Sequence, residues 1–345
     1  HANSGAGGTT TWAGSARVYR YFPDETQPMW RWWDDTGSLF YRCLDDGHHF
    51  STPSSDPSCK GAWVQIGQDL DGEAAGDAPV GDHGRRSVDI SADGNVVVIG
   101  SAHSDGGGAN TRAGHARVYV WDPNTTPSPW WAESVEIGRD VSTTAGLVGG
   151  DQPGAWVQRG VDIDGEVAHE RCGISVALNH DGSIVAVGCF GYTPPAVSGD
   201  MYGRVRVYEW SGSAWQPRDE IIGPRGSEFA FAMAMSDDAS MIASGSRAGD
   251  PDGFGNNTLG RNNAGRVQAY RWNGTMYEER PHVNGEVESE GMGTNLALSL
   301  EGTVLAVVPK IAADASETIC LWGFAITPPP SPPEHPSPAL PPPGL

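Results

Sequence analysis

The sequence predicts an all-β chain built from repeated four-stranded units, and three observations carry that prediction. One strand–turn–strand frame recurs four times along the 345 residues. Its strands alternate with period two, and no segment shows a long helical period. Glycine is abundant, at 47 residues, and punctuates runs rich in Val, Ile and Ala. Units of four strands that grade from wholly apolar to amphipathic describe the blades of a β-propeller. Their short, protected edges also answer the edge-strand hazard.

The elements follow in order. The N-terminus does not begin with a whole unit: "GSARVYRYF" (14–22) matches the outer strand of the later units, and "AWVQIG" (62–67) opens the next one. The inner strands of the four recognisable units are "SVDIS" (87–91), "SVALN" (175–179), "AMAMS" (232–236) and "NLALS" (295–299). After a short turn each continues into "NVVVIG", "SIVAVG", "SMIASG" or "TVLAVV", apolar enough for burial on both faces. A Gly-rich loop then leads to "HARVYVW", "RVRVYEW", "RVQAYRW" or the more degenerate "TICLWGF". In "RVRVYEW" the alternation places Val205 and Val207 on one face and Tyr208 and Trp210 on the other. Four units and the partial one give five blades. The partial piece completes the ring in the favoured reading, or pairs with a neighbouring molecule. The propeller spans 1–326, with insertions at about 22–61 and 132–153.

Composition bounds the function. A formal charge of −21 opposes nucleic acid, which attracts basic surfaces, and it opposes docking on anionic lipid. No stretch approaches the length of a membrane span. The chain starts at His1 rather than Met, as a processed N-terminus would. Cys172 and Cys189 lie nearly symmetrically about the turn at His180-Asp181-Gly182, so they face each other across a hairpin, and Cys43 and Cys59 bracket a polar loop. Two disulfides are therefore expected, implying an oxidising, extracellular compartment; Cys320 is left over as a buried thiol or an intermolecular link. Sequons at Asn124, Asn256 and Asn273 agree with secretion.

The frame Gly-x-Ser-Val-Ala-Leu-Ser-x-Asp-Gly, an apolar strand ending in Gly, then Gly-x-Val-x-Val-Tyr resembles FG-GAP-like repeats, the family related to the integrin α-subunit propeller. "CGISVALNHDGSIVAVG" with "YGRVRVYEW" matches it most closely, and the likeness covers roughly 62–323. It implies a propeller of the kind found in secreted algal and protist proteins. Some relatives bind Ca2+ through an acidic loop, which makes Asp69, Asp71 and Glu73 of "DLDGE", and Asp162, Asp164 and Glu166 of "DIDGE", weak metal candidates. The other reading is a side-chain-stabilised turn between blades. Gly72 and Gly165 come one step earlier than the Ca2+ loop places its glycine, which favours the turn. The third and fourth units drift and lose the loop. No cofactor is otherwise expected.

There is no nucleophile elbow, metal-spaced His/Cys set or phosphate-cradling loop, so the chain is expected not to be an enzyme. From Thr327 onward Pro dominates, and the tail 327–345 is expected to form a polyproline II rod. It resembles the hydroxyproline-rich modules of algal and plant wall glycoproteins. The resemblance implies hydroxylation or O-glycosylation at Pro328, Pro329, Pro330, Ser331, Pro332, Pro333, Pro336, Ser337, Pro338, Pro341, Pro342 and Pro343. The leading functional expectation is a secreted structural glycoprotein that associates with itself, as a filament or surface coat. The alternative is an adhesion or glycan-binding module, for which Trp30, Trp32 and Trp33 offer a stacking surface. An extracellular hydrolase stands third.

Overall fold

The computed structural model describes residues 15–22, 30–33, 39–42, 49–50, 62–72, 87–104, 112–125, 154–197, 201–249, 263–309 and 320–323. Every regular element among them is a strand, and every named sheet is antiparallel. The first two strands, β1 (Ser15–Ala16) and β2 (Tyr19–Phe22), precede a three-stranded excursion. It consists of β3 (Trp30–Trp33), β4 (Leu39–Arg42) and β5 (His49–Phe50). The chain returns in β6 (Ala62–Gln65), paired with β2, and β7 (Leu70–Asp71), paired with β1.

Four larger sheets follow. The first is β8 (Val88–Ile90), β9 (Val96–Ser101), β10 (His115–Asp122) and β11 (Ala155–Gln158), with β12 (Ile163–Asp164) also on β10. The second is β13 (Cys172–Leu178), β14 (Ile184–Cys189), β15 (Arg204–Trp210) and β16 (Trp215–Ile222). The third is β17 (Ala232–Met235), β18 (Met241–Ser246), β19 (Arg266–Trp272) and β20 (Tyr277–Glu279), with β21 (Val283–Asn284) on β19. The fourth is β22 (Asn295–Leu298), β23 (Val304–Val308) and β24 (Cys320–Gly323). We call the successive positions in a sheet a, b, c and d, from inside outward.

The a–b turns repeat one piece of chemistry. Asp93 accepts hydrogen bonds from the Ser91 hydroxyl (2.7 Å) and the Asn95 backbone N–H (2.9 Å). Asp238 does the same with Ser236 (2.7 Å) and Ser240 (2.9 Å). The left-handed position falls to Gly94, Gly182 and Gly302 in three units, but to Ala239 in the third, at φ 54°. The turns are also tied to one another: the N–H of Ala92 donates to the carbonyl of His180, His180 to Asp237, and Asp237 to Leu300.

The a strands stand side by side, β8 against β13, β13 against β17 and β17 against β22. They surround a channel of about 230 Å3. The sheets therefore radiate as blades, and the architecture is a β-propeller. Each joint is an apolar layer between the trailing face of one blade and the leading face of the next. Val96, Val98 and Val118 pack on Val176, Val185 and Tyr208. Ala177, Ile184 and Val207 pack on Met233, Ile242 and Tyr270, and Ala234 and Ala243 on Leu296 and Leu305. At the outer ends, aromatic pairs bridge c and d: Trp121–Trp156, Trp210–Trp215 and Trp272–Tyr277, with centroids 5.4, 5.2 and 5.1 Å apart. Inner ends meet backbone to backbone. A Cβ on Gly245 would lie 2.0 Å from the carbonyl oxygen of Gly293, so only glycine allows that approach.

Among the described strands, β2 pairs with β6 alone, and β23 pairs with β22 and β24. Among the described residues the N-terminal piece joins no C-terminal sheet. It packs as a half-blade of c and d strands, with Val18, Ile66 and Leu70 against Val97, Ile99 and Trp156 of the first blade.

Candidate functional site

The acidic loop after the first blade brings its carboxylates onto arginines. Asp162 accepts from Arg117 Nε at 2.9 Å and from Gln158 Nε2 at 2.6 Å. Glu166 bridges Arg204 and Arg206, each at 2.9 Å, and Arg206 also donates to the Asp164 carbonyl at 2.7 Å. The hydrogen bond from Arg204 holds the Glu166 carboxyl below its ordinary pKa, against the opposing effect of burial. In the upstream loop Asp69 accepts both Nε and Nη2 of Arg17, at 2.9 and 2.8 Å. Burial, and then the neighbouring Asp69, push the Asp71 carboxyl up.

Among the described residues, two groups of ligand-type side chains converge within 4.8 Å: His115 with Asp162 and Asp164, and Glu170 with Cys172 and Cys189. The second offers no thiolate, because Cys172 and Cys189 are bonded to each other directly across the β13–β14 ladder. Ca2+ takes six to eight oxygens. Here the carboxylates of Asp69, Asp162 and Glu166 already face guanidinium groups, so these three as placed do not fit that ion. A cation would have to displace Arg17, Arg117, Arg204 and Arg206.

The loop is organised around a buried glutamate. Glu170, missed in the sequence, is fully buried and accepts the backbone N–H groups of Glu166 (2.6 Å) and Val167 (3.2 Å). Its other oxygen faces Arg204, which also reaches Glu220 and lies 4.2 Å from the Tyr192 ring centroid. Burial works against the Arg204 charge. Its hydrogen bond to Glu166 and the fields of Glu170 and Glu220 outweigh that and raise its pKa. The expectation that later units lose this loop is corrected at 283–293. There Glu290 accepts the N–H groups of Glu286 (2.6 Å) and Val287 (3.2 Å), with Asn284 where the earlier loop has Asp164. The common signal is Gly-Glu-Val-x-x-Glu, "GEVAHE" and "GEVESE", rather than the aspartates. Both glycines lie against backbone: a Cβ would come 2.2 Å from the Ala113 oxygen at Gly165, and 2.1 Å from the Ala264 oxygen at Gly285.

The sequon residues Asn124 and Asn273 are exposed in turns; Asn273 Oδ1 accepts from the N–H groups of Thr275 (2.8 Å) and Met276 (3.0 Å). Trp30, Trp32 and Trp33 lie on β3, whose backbone alone is described. Cys43, Cys59, Glu73, Asn256 and the tail 327–345 lie outside the described residues. A second candidate place is a notch of about 650 Å3 between the half-blade and the first blade, lined by Val18, Tyr19, Val88, Ile90 and Val97.

No family model matches the chain, and no curated protein matches it. Among solved structures it is similar to a putative 6-phosphogluconolactonase from Bacteroides fragilis NCTC 9343, at 10% identity and a TM-score of 0.36. That match covers 83% of this chain and 64% of the other. It is also similar to a chain from a study of two prolyl endopeptidases, at 12% identity and a TM-score of 0.36, covering 69% of this chain and 28% of that one. The chain thus spans less than two thirds of either. Both neighbours are enzymes by name, which corrects the expectation that this chain is not one: similar structures include enzymes. At this identity and TM-score, the likeness carries neither activity here.

Proposed function

We propose that the chain is an extracellular structural glycoprotein whose propeller is a rigid, acidic body and whose Pro-rich tail joins copies into a filament or surface coat. The observation that carries this reading is the buried Cys172–Cys189 disulfide, which suits an oxidising compartment. The exposed turns of Asn124 and Asn273 agree with it. So do the resemblance of the repeat to FG-GAP-like propellers and that of residues 327–345 to hydroxyproline-rich wall modules. A head-to-tail contact that does not close generates a filament.

Electron microscopy of the chain beside a version ending at Ile326 tests it. Filaments that vanish on truncation are the expected outcome. Monodisperse particles in both samples would refute the reading.

A further inference from the structure

Arg171 closes the inter-blade loop ahead of β13, and the later loop shows what that position asks of the backbone. Its counterpart is Gly291: the N–H of Arg171 donates to the carbonyl of Arg112 at 3.2 Å, and that of Gly291 to the carbonyl of Asn263 at 3.2 Å. Both residues are left-handed, at φ 59° and 64°. Glycine takes that conformation without steric cost, whereas arginine does not. Strain that persists in this way is a pointer to function. The Arg171 side chain makes no hydrogen bond and no ion pair among the described residues, and its Nε is buried without a partner. Acidic residues outnumber basic ones 43 to 22 in this chain, so the missing carboxylate is not for want of acids. What Arg171 does touch is the Phe190 ring, 5.1 Å from its centroid. Phe190 meets Phe231 edge to face at 5.8 Å, and Arg247 lies 4.6 Å from the Phe231 ring. Phe190 follows β14 and Phe231 precedes β17, so two guanidinium groups cap one aromatic pair at the end of the blades away from the a–b turns. Arg247 is already paired with Glu228, through Nε at 3.0 Å and Nη2 at 2.6 Å. Among these groups one positive charge is left over, on Arg171.

We propose that Arg171 anchors a binding site for a carboxylate ligand. A guanidinium presents its N–H donors in a planar fork that matches the two oxygens of a carboxylate, and it keeps its charge at any working pH. The buried rings of Phe190 and Phe231 lower the local dielectric and strengthen such a pair. One positive charge matches a monoanion. A sulfate or phosphate dianion would keep an unmatched charge and meet more repulsion from a chain of net charge −21. Sugar acids and simple organic acids both carry the group that fits. The inference is independent of filament formation.

Isothermal titration calorimetry of the full chain at low salt, with sodium glucuronate, acetate and sulfate as probes, tests the site. Saturable binding of glucuronate or acetate is expected, weakened at least tenfold in Arg171→Gly. That variant copies Gly291 of the later loop, so the fold is expected to persist, with near-ultraviolet circular dichroism as the check. Arg171→Lys keeps the charge and loses the fork, and should bind more weakly than the unaltered chain yet more tightly than Arg171→Gly. Binding of glucuronate alone assigns the site to sugar acids, and equal binding of acetate assigns it to simple organic acids. The proposal is overturned by no saturable binding of either carboxylate, by equal binding in Arg171→Gly and the unaltered chain, or by sulfate binding more tightly than both.

Discussion

Replacing Glu170 by Ala removes three contacts at once: the buried acceptor of Arg204 and the acceptor of the Glu166 and Val167 N–H groups. Truncating one partner of a buried ion pair costs about 3–5 kcal/mol, because the other charge stays buried without its counterion. Glu166 and Glu220 still face Arg204, which places the expected loss near the lower end, about 3 kcal/mol. Glu290 is the internal control. It makes the same two backbone contacts in the later loop, from a half-buried position. Water can replace those contacts, so Glu290→Ala is expected to cost about 1 kcal/mol. Urea unfolding of the two variants with unchanged m-values measures both. Losses equal within about 0.5 kcal/mol would refute the claim that Glu170 serves as the counterion of Arg204.

Gly245→Ala is expected to prevent native packing of the third blade on the fourth, since the new methyl meets the Gly293 carbonyl at 2.0 Å; loss of near-ultraviolet circular dichroism reads it. Replacing Cys172 and Cys189 together by Ala opens a loop of sequence separation 17 and is expected to lower stability by about 3 kcal/mol, measured by urea unfolding. Acid should weaken the a–b turns. Hydrogen bonds from Ser91 and Ser183 hold the Asp93 and Asp181 carboxyls below 3.8. Their contribution is therefore complete above that pH and lost as pH falls through the depressed folded-state values. Asp93→Asn with Asp181→Asn should flatten the acid limb of a Tm-against-pH curve.

The fold was legible because its determinants are local. Period-two alternation assigns Val205 and Val207 to one joint and Tyr208 to the other, and the Asp-Gly turns fix where hairpins reverse. The inter-blade loop was harder to read. Its aspartates attract attention as metal ligands, whereas its working residue is a glutamate four positions past the glycine-linked one, accepting backbone N–H groups. That contact survives when Asp164 is matched by Asn284, so a motif written in aspartates misses the second loop. Arginine partners such as Arg204, 38 residues from Glu166, become visible only when sheets are registered against one another. The exposure of Val88 and Val304 needed the same step. Each looks like an ordinary strand residue until it is aligned with its buried counterpart, Val176 or Ile184.

Hydrogen exchange resolved to individual strands tests the central structural claim most directly. The account predicts strong protection in β9, β14 and β18, buried on both faces, and in β13. It predicts markedly faster exchange in β8, whose Val88 and Ile90 are about half exposed, than in β13, its equivalent one blade later. Equal protection of β8 and β13 would contradict an open first joint and, with it, the account of how this propeller is assembled.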